Sequence, residues 1–417
     1  MSELLHRVQR RAGRVLRELL PYREHFRPTG VHTSSQELAA RQSSGARYWP
    51  VVPAHTSRLV LPPGFAAAVS VYESLAHSTP RAAEEMPEAF VLALPHGRLY
   101  ADNWDSVAVI AADDQLVGDV SFQHLRQGWA MTTPARNNIF SQRYFQAPVP
   151  VAGTVLSLLA GGGAAMGNYY HWLIDSLPRL HLAREAGLLP EIDYFLVYDK
   201  TCSFVRESLL AFGIRPAQLL DVSTHRHLRA KRLLVTSPVR GNGRHSPYWV
   251  RDFLRRAYLT QPLAAPRFAP RVFISRRDAS MRRLRNEPAV EAVLREFGFV
   301  TYVLSDLSFA DKVNLFSCAE VLVGTVGAGM ANLMLAAPGT PLLEFHPATF
   351  VEPESMDTAY RAGLPYHWLT GRPSAPTSAN YYAARHLDLW LDPDALRAAL
   401  PALLRAAPTL ELVGERL

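Results

Sequence analysis

One rhythm in the chain restricts its fold more than any other feature. Short apolar runs at 271–275, 300–304, 321–325 and 341–345 alternate with stretches at helical spacing over 288–297, 309–318 and near 328–336. Strands this continuously apolar leave no face for water, and helices of about ten residues between them supply the cover on both sides, as in a parallel sheet. A looser form of the pattern precedes it, with a strand at 194–198, a helix at 204–212 and a strand at 232–236. Residues 261–270, rich in Pro and Ala, read as a linker between the two. The expectation is an α/β chain of two Rossmann-like halves facing a cleft. Its divisions are 1–60, an N-terminal helix and irregular segment; 61–262, a first domain; 263–392, a second domain; and 393–417, a C-terminal helix. Strands at 90–100 and 107–111 belong to a mixed N-terminal portion whose topology the sequence does not give.

Charge and cysteine content remove several functional classes. A net charge of +7 is spread along the 417 residues, with lysine only at Lys200, Lys231 and Lys312, which argues against a dedicated nucleic-acid arm. Cys202 and Cys318 stand far apart with no CxxC and no histidine cluster at ligand spacing, so neither a structural zinc nor an oxidising compartment is expected. Residues 1–20 read as a basic amphipathic helix: Leu4, Leu5, Val8, Ala12, Val15, Leu16 and Leu19 recur at helical spacing, with Arg7, Arg10, Arg11, Arg14 and Arg17 between them. Such a helix suits peripheral contact with anionic lipid, and the expected location is cytoplasmic, on the inner face of the cell membrane. The stretch 147–167 carries no charge, but two prolines and five glycines fit a buried strand and a glycine loop better than a membrane span.

The segment GNYYHWLIDSLPRL at 167–180 sets Asn168, His171, Asp175 and Arg179 three or four residues apart, on one face of a helix. Pro178 is placed to kink that helix and Gly187 to end it. A half-buried helix whose His171 and Asp175 only partner each other would show the same row. The alternative is a site in which imidazole and carboxylate handle a proton, with Asn168, Tyr170, Trp172 and Arg179 near an acceptor.

Three further segments follow strands of the second half, where parallel sheets bind ligands. ISRRDASMRRLRNE, 274–287, crowds Arg276, Arg277, Arg282, Arg283 and Arg285 before the helix that Asn286 and Glu287 begin, and clustered guanidiniums suit a diphosphate. VGTVGAGMAN, 323–332, offers Gly327, Ala328 and Gly329 at a strand-to-helix turn, without a dinucleotide fingerprint or a Walker lysine. PLLEFHP, 341–347, sets Glu344 in an apolar strand, where its carboxylate would accept ribose hydroxyls or pair with an arginine.

Together NYYHWLIDSLPRL, SRRDASMRRLRNE, the block LSDLSFADKVNLFSCA at 304–319 and VGAGMANLMLAAPGTPLLEFHP resemble glycosyltransferase family 61 in order and spacing, over about 160–350. The resemblance implies a GT-B fold and inverting transfer from a nucleotide sugar, a UDP-sugar first among the donors, to a glycan acceptor without a bound metal or cofactor, as in bacterial capsule or surface polysaccharide synthesis. It implies that Arg276, Arg283, Asn286 and Glu287 hold the donor's diphosphate or sugar. Gly327, Ala328, Gly329 and Asn332 would line the phosphate loop, and Glu344 would take the ribose. His171 would be the base with Asp175 orienting it, or Asp175 the base with His171 on sugar hydroxyls. The family commonly reads HGAG where this chain has VGAG, so Val326 puts an apolar side chain in place of a histidine. Two other readings follow: a non-catalytic scaffold that binds nucleotide sugar or glycan, and a sugar-nucleotide epimerase that converts donor without acceptor.

Overall fold

The computed structural model describes residues 24–70, 81–102, 106–124, 131–161, 163–241, 244–259, 266–376 and 380–406. The basic stretch 1–20 lies outside them, and so does the helix expected there. The chain is a mixed α/β protein with two large sheets and a short two-stranded one.

The first sheet has a parallel core. Val149–Ser157 lies between Tyr194–Val197 and His227–Thr236, and Leu219–Asp221 flanks Tyr194–Val197. In chain order these four run 3-2-1-4, so the winding reverses between Val149–Ser157 and His227–Thr236. Antiparallel strands then extend the sheet from the outer edge of His227–Thr236, starting with Ala89–Pro95 and Arg98–Asp102. Residues 90–100, read from sequence as one strand, are therefore two, broken at His96 and Gly97. His96 takes a positive φ of 53° there, and a Cβ on Gly97 would crowd Leu94 and Leu233 at 2.8 and 3.0 Å. Residues 21–60, read as irregular, contribute Gly30–His32 and Arg47–Val52 to the same sheet. Gly30–His32 is three residues long and Pro50 interrupts Arg47–Val52, so neither leaves a clear alternating period in the sequence.

The second sheet matches the expected rhythm closely. Val300–Val303, Arg271–Ser275, Val321–Thr325, Leu342–Pro347 and Tyr366–Pro373 are parallel neighbours in that order, and Leu389–Trp390 closes the edge antiparallel. In chain order this is 2-1-3-4-5, with its reversal between Arg271–Ser275 and Val321–Thr325. Phe309–Cys318 forms as expected, its first turn capped by the Ser308 hydroxyl, which accepts from the Asp311 N–H. The stretch after Gly327 is a 3₁₀ helix, Ala328–Leu335, not an α-helix.

One apolar core joins the two sheets, running from Leu156, Leu177 and Phe253 to Val272, Leu322 and Met334 without a break. Tyr248–Tyr258, a helix the periodicity did not flag, spans the join: Arg251 donates to the Arg361 carbonyl at 2.9 Å and Arg255 to the Ala336 carbonyl at 2.6 Å. Among the described residues no helix is long and apolar enough to cross a membrane.

Candidate functional site

The two winding reversals face one cavity of about 430 Å³, a size that suits a small-molecule substrate. From the first sheet come the loops after Val149–Ser157 and His227–Thr236, with Gly161, Gly163, Asn168, Arg240 and Arg244. From the second come Arg282, Val326, Gly327 and Ala328, and the turn after Leu342–Pro347 adds Phe350, Glu352 and Glu354.

The helix opening this site begins at Asn168, whose side chain accepts from the Tyr170 N–H at 2.9 Å, a cap worth about 1 kcal/mol. Tyr169–His171 is a single α turn. Trp172–Ser176 then widens to i→i+5 bonding, with the Leu177 N–H on the Trp172 carbonyl at 2.8 Å, and α geometry resumes at Arg179–Glu185 behind Pro178. Turns of this kind recur at functional sites.

His171 and Asp175 face the cavity as a bonded pair, Nδ1 to Oδ2 at 2.7 Å. A carboxylate only accepts, so Nδ1 carries the proton and Nε2 is the remaining ring nitrogen. Arg240 closes the other edge of the carboxylate, Nε to Oδ1 at 2.7 Å and Nη2 to Oδ2 at 2.9 Å. Burial would raise the Asp175 carboxyl, but the Arg240 charge and the His171 contact hold it well below the usual carboxylate range. Burial works against the Arg240 charge in turn, and Asp175 more than reverses it. Arg179 donates to the Asp175 carbonyl at 3.2 Å and to the Thr236 hydroxyl at 3.0 Å, pinning the helix to the central strand.

On the second-sheet side, the Arg276 guanidinium lies against Gly327, where any Cβ would overlap it. Arg282 takes a positive φ of 57°, a strained choice for a long side chain, and lies over the Phe350 ring at 5.3 Å. Burial lowers both, Arg276 to about 10, and each feels the other's or a neighbouring arginine's charge. The Nε atoms of Arg276 and Arg282 are buried without a hydrogen-bond partner. Among the described residues six arginines and four carboxyl side chains line the cavity. One of the four, Glu352, is raised well above its ordinary value by burial and by Glu354, so the lining is net positive and favours an anionic ligand.

Of the residues singled out from sequence, Asn168, Tyr170, His171, Asp175, Arg179, Arg282, Val326, Gly327 and Ala328 line this cavity, and Arg276 is not among the lining residues but lies against Gly327. Trp172 points into the core and donates to Ser208 at 2.9 Å. Arg283 pairs with Asp388, and Asn286 exchanges two hydrogen bonds with the Leu391 backbone. Glu287 accepts from Ser275 and pairs with Arg277. Gly329 packs against Leu304. Asn332 is fully buried and accepts from the Tyr169 hydroxyl at 2.7 Å, tying the second sheet to the His171 helix. Glu344 is also fully buried; its Oε2 accepts from Tyr366 at 2.7 Å and lies 3.1 Å from His346, and its Oε1 has no partner. Sequence reasoning did not single out Arg240, Arg244, Glu352, Glu354 or Arg385. Among the described residues no three His, Cys, Asp or Glu side chains gather as a metal-binding group.

Residues 169–343 match the family model Glycosyltransferase 61. That span takes in the His171 helix, the arginine loop and the glycine turn, and it supports a glycosyltransferase. No curated protein matches the chain.

Proposed function

We propose that this glycosyltransferase 61 region works as an inverting transferase of the GT-B type, moving a sugar from a nucleotide diphosphate donor to a glycan hydroxyl. The observation that carries the reading is the convergence of both sheet ends on one net-positive cavity, with a His–Asp pair on one wall and Arg282 beside a glycine turn on the other. His171 is the base in this reading. Asp175 already accepts from His171 and from two nitrogens of Arg240, which leaves it little capacity for a substrate proton.

In the reaction the acceptor hydroxyl gives its proton to Nε2 of His171 while its oxygen bonds the anomeric carbon. The bond from that carbon to the donor's diphosphate breaks, and its electron pair leaves with the diphosphate. The charge that accumulates there falls on Arg282 and the backbone N–H groups of the turn at Gly327 and Ala328, with the Arg276 guanidinium against that turn adding its positive charge from outside the cavity lining. A single displacement of this kind inverts the anomeric centre. The donor we favour is a UDP-sugar, and the pathway a bacterial surface polysaccharide.

Calorimetric titration with a panel of nucleotide sugars, followed by an acceptor screen on whichever binds, tests the reading; binding of none of them would sink it. A second reading, binding without turnover, is favoured by Val326, an apolar side chain on the cavity wall beside Gly327. It predicts a nucleotide sugar that binds and is never consumed, and a Val326→His variant that gains transfer.

A further inference from the structure

The sequence row Asn168, His171, Asp175, Arg179 omits the group that binds the Asp175 carboxylate most fully. Arg240 stands 65 residues further along the chain, on the loop that leaves His227–Thr236, across the winding reversal from the His171 helix. Its contact is bidentate, and both side chains are 15 % exposed, so solvent screens the pair little. Its ring partner is Tyr170, at 5.9 Å, one residue before the imidazole.

We propose that Arg240 is a positioning residue that acts on His171 through Asp175: by binding both carboxylate oxygens it fixes the edge that the imidazole meets and withdraws negative charge from it. A carboxylate left to His171 alone would stabilise the imidazolium and hold the ring protonated, when a base must begin neutral. Shared with a guanidinium, the same carboxylate still orients Nδ1–H but favours the charged ring less. The inference rests on His171 being the base.

Among the described residues, the charged and titratable groups that share the cavity with the pair come from separate elements. Tyr170, Asp175 and Arg179 come from the helix itself, and His124, directly after Phe122–Gln123, lines the same cavity. Arg240 and Arg244 come from the loop after His227–Thr236, and Glu354 from the turn after Leu342–Pro347. Arg179 contacts the Asp175 carbonyl, not its carboxylate, and Glu354 is the partner of Arg244 at 3.7 Å.

The test is an NMR titration of His171 in protein labelled with ¹³C-histidine, its signal assigned by loss in His171→Gln, alongside the pH profile of kcat/KM. Arg240→Gln should raise the His171 midpoint by ~1 pH unit, a tenfold gain in proton affinity, and move the acid limb of the rate profile up with it. Arg240→Lys, which keeps the charge, should restore most of the midpoint. Asp175→Asn should lower it, proving that the signal reports the pair. An unmoved midpoint in Arg240→Gln protein that retains wild-type circular dichroism would overturn the proposal, as would a midpoint in Arg240→Lys equal to that in Arg240→Gln. The midpoints stand without activity, so a shifted midpoint in a protein that transfers no sugar would keep the role of Arg240 and remove the transferase reading.

Discussion

Gly163 passes so close to His171 that a Cβ on it would overlap Cδ2 and Nε2 of the imidazole and lie 2.9 Å from Cγ. The ring is held from the other side by Asp175 and cannot retreat without losing that bond. Gly163→Ala should therefore cut kcat by at least tenfold while leaving donor affinity within about twofold, since misplacing a base by an ångström costs on that order or more. Steady-state kinetics with calorimetry on the same variant will show whether catalysis and binding separate.

His171→Ala should lower kcat by roughly 10²–10⁴, the range for loss of a positioned base, with nucleotide-sugar binding retained. Asp175→Asn should fall less, because an amide can still meet the ring but offers it no charge. A His171→Ala enzyme that still turns over within threefold of wild type would remove the imidazole from the mechanism.

Arg282 is the cavity arginine whose backbone strain has no other evident use. Arg282→Ala should weaken nucleotide-sugar binding by roughly 10–100-fold, the loss of one or two charge-assisted hydrogen bonds. Arg283, already paired with Asp388, gives the comparison: equal losses in Arg282→Ala and Arg283→Ala would show that both side chains reach the donor.

Acid should destabilise the fold through two buried histidines. Burial pushes His181, stacked on Trp249 at 5.2 Å, down to about 4, and burial does the same for His227 despite its bond to the Gln146 carbonyl at 2.7 Å. A folded value below the unfolded one of about 6.5 means that the stabilisation is complete above that pH and is lost as pH falls towards 4. His181→Phe keeps an aromatic ring against Trp249 and removes one titration. Its melting temperature should fall less between pH 7 and pH 4.5 than that of wild type, and parallel curves would contradict the assignment.

Most of the second sheet was legible because those strands are continuous apolar runs and the helices between are long enough to show their period; Arg271–Ser275, Phe309–Cys318 and Val321–Thr325 form where sequence set them, whereas Tyr366–Pro373, with His367, Thr370, Gly371 and Arg372, carries no such run. The pairing of His171 with Asp175 was legible for the same reason, being local. What lay hidden is non-local or torsional. Arg240 has no spacing relation to the helix it serves, and only the strand order brings it there. Five arginines in one loop look alike until backbone φ turns Arg282 into the cavity and leaves Arg283 on Asp388. Burial of Glu344 and Asn332 depends on neighbouring strands that no single segment encodes.

The widened turn at Trp172–Ser176 amounts to an α-helix carrying one surplus residue. Excising it would let the turn close to i→i+4 bonding and leave Arg179 on Thr236, whereas the same deletion within the regular stretch Arg179–Glu185 would turn everything after it by about 100°. Most side chains in that turn are core and would tolerate exchange for others of similar volume. The chain can thus drift here in composition and, by one residue, in length: a single-codon deletion among Trp172, Leu173 and Ile174 would be less damaging than the same deletion one turn further along, beyond Arg179.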